Sequence, residues 1–131
     1  MTTRRATCSC GQLTVEAEGE PVRISMCHCL ACQRRTGSVF GVQARFPRER
    51  VTIDGASSSW VRTADSGDRI EFHFCPTCGA TVSYIMLSDP ALIAVPVGAF
   101  ADPTFPPPRV SVYGERRHPW VVLPDGVEPH E

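Results

Sequence analysis

The chain has 131 residues, 42% hydrophobic and 21% charged, with a formal net charge of −1. That length supports a real hydrophobic core, and the charge balance argues against a basic nucleic-acid-binding surface or an acidic solvating tail. All 13 Lys+Arg residues are Arg, which excludes Schiff-base lysine chemistry.

Met1 to Arg5 run on to Cys8 without an apolar h-region, so no targeting segment is predicted. No stretch approaches the roughly 20 apolar residues of a membrane span. The expectation is a soluble cytoplasmic protein with reduced thiols. Leu13, Val15 and Ala17 alternate with polar residues, as on a half-buried strand. Val22, Ile24 and Met26 repeat the pattern into Cys27. A short helix is predicted over Leu30 to Thr36, then a strand over Val39 to Phe46 that stops at Pro47. Val51 and Ile53 make a short strand before the Asp54-Gly55 turn. Trp60-Val61 is another strand, Ala64 to Asp68 a turn, and Ile70, Phe72 and Phe74 alternate into Cys75. Strands follow over Thr81 to Met86, Leu92 to Val97 and Val110 to Tyr113, the last expected. Asp102 to Pro108 holds four prolines and reads as an extended connection. The fold class is therefore mainly β with little helix.

Seven cysteines fall in three clusters. Their odd number and close spacing suit a metal better than disulfides. Cys75-Pro76-Thr77-Cys78-Gly79 is a zinc-knuckle signal: a tight turn aims both sulfurs at one ion, and Gly79 can adopt the left-handed conformation that releases the chain. Cys8 and Cys10, two apart, share one face of an extended chain. Cys27, Cys29 and Cys32 supply three sulfurs within six residues. Spacing allows two partitions. Cys29 and Cys32 can join Cys75 and Cys78, stranding Cys8, Cys10 and Cys27. Alternatively Cys8, Cys10, Cys75 and Cys78 form a closed site, leaving three sulfurs for a second one; this uses every cysteine. A closed four-thiolate site serves folding, whereas a three-ligand site keeps a position open for water or substrate.

These stretches, Cys8 to Gly11, Cys27 to Gly37, Gly67 to Gly79, and Pro119-Trp120 with Asp125-Gly126, resemble the glutathione-dependent formaldehyde-activating enzyme family, which includes the centromere protein V group. The resemblance spans nearly the whole chain and implies a single Mss4-like, tent-shaped β domain over residues 1–131. It also implies two zinc ions: a structural one on Cys8, Cys10, Cys75 and Cys78, and a catalytic one on Cys27, Cys29 and Cys32. The activity implied is that of a carbon–sulfur lyase, an S-(hydroxymethyl)glutathione synthase-like enzyme that adds formaldehyde to glutathione. Its partners would be a small-molecule thiol and an aldehyde, with neither nucleic acid nor membrane.

Competing readings are a non-catalytic, zinc-stabilised protein-binding module and a redox protein using iron or a reactive cysteine pair. Among other residues, His28 is expected to face away from its cysteine neighbours, and His73 to face solvent. Arg34 and Arg35 suit carboxylate binding or a solvated turn equally. Thr36 to Ser38 reads as a turn. Trp60, Trp120, Phe40, Phe46 and Phe100 are expected in the core, and Arg116, Arg117 and His118 as a solvated charge run.

Overall fold

The computed structural model describes residues 2–130. Its strands in chain order are β1 (Thr3–Thr7), β2 (Thr14–Glu18) and β3 (Arg23–Cys27), then helix α1 (Leu30–Thr36), β4 (Gly41–Pro47), β5 (Val51–Asp54), β6 (Ser58–Thr63), β7 (Arg69–Phe74), β8 (Thr81–Met86), β9 (Leu92–Pro96), β10 (Val110–Val112) and β11 (Glu128–His130). The chain is thus mainly β, as the alternation predicts. A three-stranded sheet has the order β1-β2-β5, and an eight-stranded sheet the order β11-β10-β3-β4-β9-β8-β7-β6. Pairings are antiparallel except β3–β10 and β10–β11, which are parallel.

The core lies where the small sheet covers the large one. Leu13, Val15 and Ala17 are fully buried, as their spacing requires, and pack with Ala6, Phe46 and Val95. Phe100 stacks on Phe105 at 4.7 Å and tilts against Phe46 at 6.3 Å. A second apolar cluster holds Ile70, Phe72, Tyr84 and Ala94. A bulge in β8 separates the two: Phe74 pairs with Thr81 but His73 with Ser83, so Val82 is the extra residue. Two residues opposite one reverse the phase of the strand. Val82 and Ile85 consequently join the main core, and Tyr84 and Met86 the second cluster.

Several expectations need correcting. β1 was hidden by its arginines, but Arg4 lays its guanidinium over the Phe105 ring at 5.0 Å, so a charged side chain acts as apolar cover. Val110 to Tyr113 is not the last strand, because β11 follows and extends the sheet. The proline-rich connection begins as a turn: the Thr104 hydroxyl and backbone N–H donate to Asp102 Oδ1 at 2.7 and 2.9 Å. Trp60 and Trp120 are exposed, not core. Glycine is required at Gly55, where φ is +111° and an added Cβ would lie 2.1 Å from the Gln12 carbonyl oxygen.

Candidate functional site

The sulfurs of Cys8, Cys10, Cys75 and Cys78 lie within 4.8 Å of one another, and those of Cys27, Cys29 and Cys32 form a second group within the same limit. Of the two partitions open from spacing, this is the one that strands no cysteine. All seven are free thiols.

The four-sulfur group is built from two turns. Cys8 follows β1, and Gly11 N–H donates to the Cys8 carbonyl at 3.1 Å. Cys75 follows β7, and Gly79, at φ +80°, closes the second turn with an N–H to the Cys75 carbonyl at 2.8 Å. Each turn aims a backbone N–H at its first sulfur: Leu13 at Cys8 and Thr77 at Cys75, both at 3.3 Å. Sulfur separations of 3.6 Å from Cys10 to Cys8 and to Cys75 match the edge of a tetrahedron with Zn–S near 2.3 Å, about 3.8 Å. The donor set therefore fits a tetrahedral metal ion. Sequence reasoning missed Gln12, whose amide donates to Cys75 Sγ at 3.0 Å. It also grips Ala56, donating to its carbonyl at 2.7 Å and accepting from its N–H at 2.9 Å. Gln12 is the main reason that the Cys75 thiol is held down to about 5, against an ordinary 9.0.

The three-sulfur group sits where β3 enters α1. Cys27 ends β3, Cys29 caps the helix, and Cys32 lies in its first turn. Cys29 Sγ accepts the Cys32 backbone N–H at 3.3 Å. Hydrogen bonds from the Cys27 and Cys32 thiols push the Cys29 pKa far down, and the same contacts raise Cys27. Three convergent sulfurs suit a metal with one position left open.

His28 stands apart from both groups. It is fully buried, with Nε2 3.0 Å from Ser111 Oγ and no partner for Nδ1. Burial, then the positive charge of Arg117, lowers its pKa. His73 is half-buried and pairs with Glu71 Oε2 at 2.9 Å. Thr36, expected in a turn, is the last residue of α1; the chain leaves the helix at Gly37, at φ +70°, and Thr36 Oγ1 accepts the Ser38 N–H at 3.0 Å. Arg116 to His118 is more than a solvated run: His118 Nε2 lies 3.0 Å from Gln33 Oε1, and Gln33 Nε2 donates to the Arg116 carbonyl at 3.2 Å.

The three-sulfur group lines a cavity of about 560 Å³. Arg34 and Arg35 both reach it, along with Arg23, Arg45, Arg62 and Arg116. Arg35 lies over the Phe72 and Tyr84 rings at 5.5 and 5.3 Å. Tyr84 is buried on the cavity wall, and desolvation raises its pKa. No helix among the described residues is long and apolar enough to cross a membrane.

A crystal structure of a Rhodobacter sphaeroides protein is similar in fold, with a TM-score of 0.57 and 23% identity over 79% of this chain and 91% of that one. A family model described as "Glutathione-dependent formaldehyde-activating enzyme" matches residues 3–116, which include both sulfur groups and the helix between them. The chain belongs to the glutathione-dependent formaldehyde-activating enzyme family.

Proposed function

We propose that this protein is a zinc-dependent enzyme of the carbon–sulfur lyase type, adding a small aldehyde such as formaldehyde to a thiol such as glutathione, or running the reverse cleavage. The observation that carries the reading is the contrast between the two groups. Four sulfurs make a complete donor set, whereas Cys27, Cys29 and Cys32 make an incomplete one that opens on a cavity of about 560 Å³. Family membership supports glutathione and formaldehyde as the substrate classes. On this reading Cys8, Cys10, Cys75 and Cys78 hold a structural zinc and residues 1–131 form a single domain.

A zinc ion on Cys27, Cys29 and Cys32 would supply Lewis acidity and keep an incoming thiol deprotonated near neutral pH. The rest falls to the chain. The cavity brings thiol and aldehyde together, which matters because their addition is already feasible without a catalyst. In the addition the sulfur attacks the carbonyl carbon and the C–S bond forms. The π pair moves to oxygen, and the proton lost by the thiol ends there. Tyr84 stays protonated because it is buried, so it offers a hydroxyl donor on the cavity wall. Arg62 and Arg35 add positive charge near Cys29 and Cys32.

The test is turnover of formaldehyde with glutathione by zinc-loaded protein, beside Cys27→Ser. The variant is expected to lose turnover while keeping the metal of the four-sulfur site. Unchanged turnover would sink the reading.

A further inference from the structure

The floor of the cavity continues away from the cysteines along two paired strands. Arg23, Ser25 and Cys27 share one face of β3, and their partners on β4 are Arg45, Gln43 and Gly41. Five of these six line the cavity, Gly41 being the exception. From Cys27 to Arg23 the strand runs about 13 Å.

Two features at the Arg23 end have no explanation among the described residues. First, Arg23 and Arg45 are directly opposite across an antiparallel pair, where like charges destabilise. Burial, then the Arg45 charge, lowers the Arg23 pKa. Among the described residues neither arginine has a carboxylate partner, the ion pairs there being Arg4–Glu20 and His73–Glu71. Second, Ser25 and Gln43 are buried between that pair and the cysteines, at 1% and 3% exposure. Ser25 Oγ accepts from Gln43 Nε2 at 2.7 Å and from Arg45 Nη1 at 3.1 Å. Its own proton is then left to donate elsewhere, and Gln43 Oε1 is buried without a partner. Whichever way the amide is turned, one polar atom of this pair is left over. Two guanidinium groups and one spare donor, the Ser25 hydroxyl or, with the amide turned, the Gln43 NH2 group, at one end of a cavity are the complement of an oxyanion.

We propose that Arg23, Arg45 and Ser25 form an oxyanion subsite, holding a carboxylate or phosphate group of the molecule whose other end reacts at Cys27, Cys29 and Cys32. The inference rests on the functional reading above for the reacting end only. It makes Arg23 and Arg45 specificity-determining: a thiol or aldehyde without an anionic group that reaches the Arg23 end of the cavity forgoes this contact.

The experiment is calorimetric titration of the zinc-loaded full chain with inorganic phosphate and, separately, succinate, at ionic strength held constant with chloride. Arg23→Gln and Arg45→Gln are compared with Arg50→Gln, which removes a charge from an exposed turn. Wild type and Arg50→Gln are expected to bind, and each pocket variant to bind about tenfold more weakly or worse. Tighter binding of phosphate or of succinate identifies the source of the oxyanion. Arg23→Gln relieves a like-charge pair, so it is expected to melt no lower than wild type in chloride, which separates lost binding from lost fold. Equal binding by all four proteins, or none by wild type, overturns the subsite. Neither probe carries a thiol or an aldehyde. A protein that turns over its substrates yet ignores both probes loses only the subsite. One that binds them without turnover loses only the reading of the cysteine centre.

Discussion

His118 Nε2 lies 3.0 Å from Gln33 Oε1, joining helix α1 to a segment 85 residues further along the chain. Gln33 also donates to the His28 and Arg116 carbonyls, at 2.9 and 3.2 Å. The helix that carries Cys32 is thus clamped to the strand that carries Cys27 and to the returning chain. Gln33→Ala is expected to weaken metal binding at the three-sulfur site by about 10- to 100-fold, the usual effect of losing an outer support. Competition with a chromogenic chelator reads this directly. An unchanged affinity would show that the clamp has no bearing on the site.

Elemental analysis of protein purified with reductant and without chelator is expected to find about two zinc ions per chain. The ion on Cys27, Cys29 and Cys32 should leave first under chelator, since it has one protein ligand fewer. Simultaneous release of both would contradict the division into complete and incomplete donor sets. Acidification is expected to release both ions, because the ligands must be deprotonated to bind.

Gln12 holds the Cys75 sulfur to the Ala56 backbone. Gln12→Ala is expected to lower stability by about 1–2 kcal/mol, as the loss of these hydrogen bonds implies. Urea unfolding of the zinc-loaded chain measures it. Its neighbour Gly55 is less forgiving. With a Cβ set 2.1 Å from the Gln12 carbonyl oxygen, Gly55→Ala should cost more than the roughly 1 kcal/mol of an ordinary glycine replacement.

The Thr104 hydroxyl, then its backbone N–H, holds the Asp102 carboxyl below its ordinary 3.8. A depressed folded-state pKa contributes stability that is fully present above 3.8 and is lost as pH falls through the folded value. Thr104→Val is expected to move the Asp102 titration back towards 3.8, as read by carboxyl carbon NMR. No movement would mean that the backbone N–H alone sets it.

Much of this architecture is legible in the residues themselves. Leu13, Val15 and Ala17 name their buried face by alternation, and Thr81 to Met86 is a strand with those bounds. What alternation hides is the bulge at Val82, since a single inserted residue leaves the composition of the strand unchanged while reversing its faces. The spacing of the cysteines marks them as metal ligands but leaves their grouping open. That depends on β1 and β7 ending side by side, a long-range fact of sheet packing. Ser25 and Gln43 were missed because a polar residue inside a strand reads as solvent-facing; here the solvent side is the floor of a cavity. Trp60 and Trp120 misled in the opposite way, for size alone does not bury an aromatic ring.

The parallel pairing of β3 with β10 has a consequence for how the molecule is made. Once Cys78 has left the ribosome, every residue of the four-sulfur group exists. The strand carrying Cys27 pairs with β4 early but must wait longer for its second neighbour, because Val110 to Val112 are synthesised more than 80 residues after it. Until then the backbone N–H of His28 lacks the Val112 carbonyl that it meets in the finished protein. The four cysteines of the closed group are therefore all available on the nascent chain before β3 gains its β10 neighbour.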